Sequence, residues 1–114
     1  MSNDDKDYSI EDIINFLKNI DRTNLIETRH FRKHIDENIP EISSVINDYI
    51  LKQKPVGILR QDNTKFKLYY ELDEKYDLIV VISVNVKSEN PITISLITCF
   101  KQKASRRVRK DERY

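Results

Sequence analysis

The chain is poor in the residues that punctuate a backbone. Its 114 residues include one glycine, three prolines, one cysteine and no tryptophan. A single glycine excludes a glycine-rich phosphate loop, and neither a Walker-type nor a dinucleotide fingerprint is present. No cofactor is expected. One cysteine, Cys99, excludes an internal disulfide framework and fits a reducing compartment. No run of about 18 apolar residues occurs, so no membrane span is expected. The acidic opening MSNDDKDYS has no apolar stretch of the signal-peptide kind, so a cytoplasmic protein is expected. The balance of 20 Lys+Arg against 19 Asp+Glu leaves a net charge of +1, which names no partner.

What is present falls into two halves of different period. Ser9 is placed to cap a helix, with Glu11 and Asp12 in its first turn where the helix dipole favours anions. Ile10, Ile13, Ile14, Leu17 and Ile20 follow at helical spacing, predicting a helix over Ile10 to Ile20. Leu25 and Ile26 read as a short extended entry. Thr28 then caps a second helix marked by Phe31, Ile35 and Ile39. Pro40 suits the first turn of a third helix, which Ile42, Val45, Ile46, Tyr49 and Ile50 carry to about Lys52.

After Pro55 the period becomes two. VGILRQ, KFKLYYEL, YDLIVVISVNV and ITISLITCF read as four strands joined by turns. The fold expected is α+β, with N-terminal helices packed on a four-stranded antiparallel sheet. One sheet face meets the helices. The other is polar, with Lys65, Lys67, Tyr69, Ser83, Asn85, Thr93 and Ser95 sharing it. Three parts are expected: a flexible acidic lead at 1–8, a single domain at 9–100, and a basic tail at 101–114. The tail holds seven positive residues against two negative, among them Arg106 and Arg107.

Both histidines lie in one stretch, ETRHFRKHI. His30 and His34 are four apart and share a face if the segment is helical. A zinc half-site has this spacing, but Phe31 stands where a metalloprotease helix needs glutamate, so no metal is expected. Acid–base chemistry is a second reading, since free histidine titrates near pKa ~6.5. Arg29, Arg32 and Lys33 are then cations for a phosphodiester with a 2′-OH, where a base removes the 2′ proton and an acid protonates the leaving oxygen, and His34 falls with the binding residues. A solvated helix face fits the same residues. On the sheet, Lys65 and Lys67 suit phosphates and Tyr69 suits a stacked base. An ordinary exposed strand has the same composition.

TRHFRKHI, the helix opening IPE, VGILRQDNTKFKLYYEL, YDLIVVISV and ITISLITCF together resemble the RelE/ParE-like superfamily, within the group that unites barnase, EndoU, colicin and RelE nucleases. They are also similar to small uncharacterised families with an H…R motif near a first helix and a threonine–aromatic ending on the last strand. His30, Arg32, and Thr98 with Phe100 carry the match, which covers about Leu25 to Lys101. The resemblance implies a metal-independent endoribonuclease of the toxin type, with RNA as substrate and an antitoxin-like protein as partner. By that resemblance His30 is the base or acid, Arg32 the phosphate clamp and Thr98 a positioning hydroxyl. Two features depart from it: the extra helix at Ile10 to Ile20, and an alternation that puts Thr98 on the same side as Leu96. The other expectation is a non-catalytic module that binds nucleic acid or protein.

Overall fold

A computed structural model describes residues 7–89 and 92–106, with residues 86–89 and 106 described by backbone alone. The first helix, α1 (Ile10–Asn19), opens on a reciprocal cap. The Ser9 hydroxyl accepts from the Asp12 amide at 3.0 Å, and the Asp12 carboxylate accepts from the Ser9 amide at 2.8 Å. Its apolar stripe buries Ile13 and Leu17. Ahead of it, Tyr8 is buried edge-on against Phe16, at 5.5 Å between ring centroids.

Asp21 caps a short 3₁₀ turn, and the chain enters β1 (Leu25–Glu27). Then come α2 (Arg29–Asn38), a 3₁₀ turn at Pro40–Ile42, and α3 (Ile46–Lys52). Four strands follow: β2 (Gly57–Arg60), β3 (Lys65–Glu71), β4 (Tyr76–Glu89) and β5 (Ile92–Lys103).

The α+β class holds, but the sheet corrects the expected four-stranded antiparallel meander. It is five-stranded and mixed, in the order β1-β5-β4-β3-β2. The extended entry at Leu25 joins as an edge strand, parallel to β5, with Leu25 beside Ile94 and Glu27 beside Leu96. Three residues carry no strand period, and a parallel partner far along the chain leaves no turn signal. The third helix is also shorter than its apolar spacing predicts. In a continuous helix the Ser43 carbonyl would receive the Asn47 amide. Here it accepts from Arg32 Nη1 at 3.0 Å, and the backbone turns before α3 begins. The expected basic tail begins inside the sheet, since β5 runs through Lys103 and a 3₁₀ turn takes Ala104–Arg106.

One core lies between the helices and one sheet face. It joins Phe31, Ile35, Ile46 and Ile50 of the helical layer to Phe66, Leu68, Tyr70, Val80, Ile82, Leu96 and Cys99 of the sheet. Strand alternation sends the intervening residues to the outer face. The register Lys65–Ser83–Ser95 places those three side by side there, as the sequence predicts. Hydrogen bonds from Asn85 Nδ2 to Thr93 Oγ1 (2.9 Å) and from Ser95 Oγ to Asn85 Oδ1 (3.1 Å) tie that polar end together.

β5 breaks its own alternation. Ile82 pairs with Leu96 but Val81 pairs with Thr98, so Ile97 is an extra residue in a bulge. Thr98 therefore turns to the outer face beside Val81, and Cys99 turns into the core. This overturns the expectation that Thr98 shares a side with Leu96.

Candidate nucleic-acid interface

The N-terminus of α2 is capped and tied to the sheet by the same side chain. The Thr28 hydroxyl accepts from the Phe31 amide at 3.1 Å, capping the helix, and donates to the Leu96 carbonyl at 2.9 Å, fixing the cap to β5. Phe31 and Ile35, one turn apart, face the core and are fully buried. The opposite positions must then face water. Arg29, His30 and Lys33 are exposed and His34 is half-buried. Residues i and i+4 lie one above the other on a helix, so Arg29 with Lys33 and His30 with His34 form two adjacent rows. The two imidazoles sit 6.1 Å apart between ring centroids, tilted by 41°. His30 and His34 thus share a face, and among the described residues no cluster of three or more metal-ligating side chains forms around them.

The stripe sits at the end of α2 that least suits it. Cations in a first turn oppose the helix dipole, and α2 has no acidic residue there to offset them. Ion pairs among the described residues engage Arg32, Lys52, Arg60 and Lys101, and none engages Arg29 or Lys33. The amides of Arg29 and His30 have no intrahelical acceptor. Two exposed cations, two imidazoles and the positive end of a helix thus converge on one patch suited to an anion.

Arg32 belongs to a different surface. Its guanidinium is spent on protein. Nε donates to Glu27 Oε1 at 3.0 Å and Nη2 to Glu27 Oε2 at 2.5 Å, while Nη1 meets the Ser43 hydroxyl at 2.7 Å and lies 3.7 Å from Asp36. Asn47 Nδ2 adds a 3.3 Å bond to the same Glu27 oxygen. Hydrogen bonds from Arg32, with the Arg32 charge behind them, hold the Glu27 carboxyl below its usual value against the opposing effect of burial. The Glu27 carboxylate in turn raises the pKa of Arg32. The network joins β1, α2 and α3. Sequence reading singled out Arg32 without its partners. The available signal was Glu27 across the Thr28 cap from it, and Ser43 and Asn47 four residues apart beyond Pro40.

The remaining predicted residues do not gather with the stripe. Thr98, Lys65 and Lys67 lie on the outer sheet face, opposite the layer that contains α2. Lys65 and Lys67 are half-buried, and Tyr69 is buried rather than offered to a base. Lys101, the first tail cation, lies 5.0 Å over the Tyr76 ring and 3.9 Å from Glu41. Arg107 and the rest of 107–114 lie outside the described residues, as does the side chain of Arg106. A cleft of about 800 Å³ opens between the start of α1 and Arg60. Its rim carries Asp7 and Glu11, and it contains none of the predicted site residues.

The fold and site define a small α+β domain with a basic helix face that no ion pair among the described residues engages. The chain belongs to the MJ0788 family, whose model matches residues 11–82. That span contains the whole of α2 and the Glu27–Arg32 network, and it stops short of β5 and Thr98. The chain is similar to the uncharacterized protein MJ0788 of Methanocaldococcus jannaschii, with 36% identity over 63 residues, covering 53% of this chain and 78% of the relative. No solved structure matches the chain. Among the described residues no helix is long and apolar enough to cross a membrane.

Proposed function

We propose that this domain binds RNA through the phosphate backbone, with Arg29 and Lys33 of α2 as the contacting cations and the imidazoles of His30 and His34 beside them. The observation that carries the reading is the unpaired cationic row on the first two turns of α2. Positive charge in the first turn costs helix stability, the turn holds no acidic residue, and among the described residues no ion pair engages Arg29 or Lys33. A local rule broken without internal compensation is the pattern expected of a binding surface. Arg32 serves this surface indirectly, by fixing α2 to β1 and α3.

The direct test is titration of a labelled single-stranded RNA of mixed sequence with wild type, Arg29→Ala/Lys33→Ala and Lys65→Ala/Lys67→Ala. The α2 double variant is expected to lose most of the affinity, and the sheet variant little. Equal loss in both, or none in either, removes α2 as the interface.

The 6.1 Å spacing of the imidazoles supports a second reading, metal-independent cleavage. One histidine would take the 2′ proton and the other protonate the leaving oxygen, with Arg29 and Lys33 neutralising the phosphorane. In that reading the catalytic set is His30 with His34, since Arg32 is engaged by Glu27 and Thr98 lies on the opposite sheet face. The toxin-type expectation, and an antitoxin-like protein that would cover the α2 face, stand or fall with this second reading.

A further inference from the structure

The imidazoles of α2 have no acid committed to them. His30 is exposed and His34 half-buried, with their ring centroids 6.1 Å apart. His30 follows Arg29 along the chain and His34 follows Lys33, and among the described residues no ion pair engages either histidine. The carboxylates of the surrounding elements are turned elsewhere. Glu27 of β1 and Asp36 of α2 itself meet Arg32, Glu41 meets Lys101, and Asp48 of α3 meets Lys52. β5, which carries the cap of α2, has no charged residue before Lys101. Glu37, three residues beyond His34, is exposed and forms no ion pair among the described residues.

We infer that His30 and His34 gate the α2 surface by protonation, so that RNA is held tightly in mild acid and released as the imidazoles lose their protons. The inference rests on the reading of α2 as an RNA-binding surface. A neutral imidazole offers a phosphate one donor and turns a lone pair outward at its other nitrogen, whereas the protonated ring offers two donors and a charge. The formal charge of Arg29, His30, Lys33 and His34 together thus runs from +2 to +4. Four like charges on the first turns of a helix, at its positive end, repel one another unless an anion lies among them. Phosphates supply that anion and favour the charged ring, so RNA binding takes up protons. By reciprocity, acid strengthens RNA binding. Free imidazole changes charge between about pH 5.5 and 7.5, and the added affinity is present at the lower end of that window and lost at the upper.

The test is binding of a labelled oligouridine, whose bases carry no group that titrates in this range, to the full chain at about pH 5.5 and about pH 7.5 and fixed ionic strength. Wild type is expected to bind at least about tenfold more tightly at the lower pH, with a salt slope steeper by up to about 1.4, or about 0.7 for each imidazole charged. His30→Gln/His34→Gln is expected to bring the ratio of the two affinities within about twofold, and each single variant to give an intermediate ratio. Calorimetry in two buffers of different ionisation enthalpy should show proton uptake on binding by wild type and little by the double variant. Equal wild-type affinity at both pH values, while Arg29→Ala/Lys33→Ala still weakens binding, overturns the gate and leaves the RNA reading standing. A pH ratio that survives in the histidine double variant also overturns it, and assigns the titration to another group. If Arg29→Ala/Lys33→Ala binds as wild type does at both pH values, the RNA reading of α2 fails and the gate falls with it.

Discussion

Glu27 and Arg32 grip each other through both carboxylate oxygens, Nε to Oε1 at 3.0 Å and Nη2 to Oε2 at 2.5 Å. The pair bridges the last residue of β1 and the first turns of α2, across the Thr28 cap. A forked guanidinium–carboxylate pair fixes orientation as well as distance. It therefore sets the direction in which Arg29, His30 and Lys33, on the same turns of α2, leave the domain. Both partners are about a third exposed or less, so water screens the pair only in part.

Breaking the pair should cost stability and spare chemistry. Glu27→Ala and Arg32→Ala are each expected to destabilise the domain by about 1–2 kcal/mol, less than a fully buried pair and more than a surface one. Their double-mutant cycle in urea should show coupling. Arg32→Lys should recover little, since an amine cannot span both oxygens. Additive losses would mean that the two residues act independently.

The same pair gives an acid-side pH dependence. Glu27 is held below its ordinary value of 4.5, chiefly by hydrogen bonds from Arg32. The folded state thus favours the ionised carboxyl. That contribution is fully present above about pH 4.5 and is lost as pH falls through the lower folded value. Glu27→Gln should flatten part of the fall in urea stability on acidification. Asp21 and Asp62, also lowered by hydrogen bonds to nearby residues, supply a remainder that the variant keeps.

Cys99 should be inert in the native state. The bulge at Ile97 turns it into the core, where burial pushes the thiol up to about 12. Labelling by a disulfide reagent at pH 8 is expected to run at least about a hundredfold slower than in urea-unfolded protein. Labelling at the unfolded rate would place Cys99 outside the core.

The bulge also marks where the sequence stops being legible. Helix caps at Ser9 and Thr28 follow from spacing, whereas the shared face of His30 and His34 needed the helix, and the register Lys65–Ser83–Ser95 needed the strand pairing, that the structure supplies. A single inserted residue at Ile97 reverses every side chain after it, and nothing in ITISLITCF distinguishes the inserted residue from its neighbours. β1 is too short to show a period, and its partner is distant. Arg32 fitted the cationic cluster by composition. Only the positions of Glu27, Ser43 and Asn47 in space reveal that it is engaged.

If the imidazole pair cleaves RNA, His30→Ala and His34→Ala should each lower the rate about 10²–10⁴-fold, the range of a positioned acid or base. The wild-type rate should be bell-shaped in pH. Thr98→Val, on the opposite sheet face, should leave the rate unchanged. A rate that follows Thr98 instead of His34 would restore the site implied by the RelE-like resemblance.

If the cations of α2 meet phosphates, the salt dependence of RNA affinity reads it directly. Each phosphate neutralised on a single strand contributes about 0.7 to the slope of log affinity against log salt. The slope for Arg29→Ala/Lys33→Ala should be shallower than wild type by about 1.4, while Arg32→Lys keeps the wild-type slope. An unchanged slope in the α2 double variant, or a slope that changes with Arg32 alone, would contradict the account.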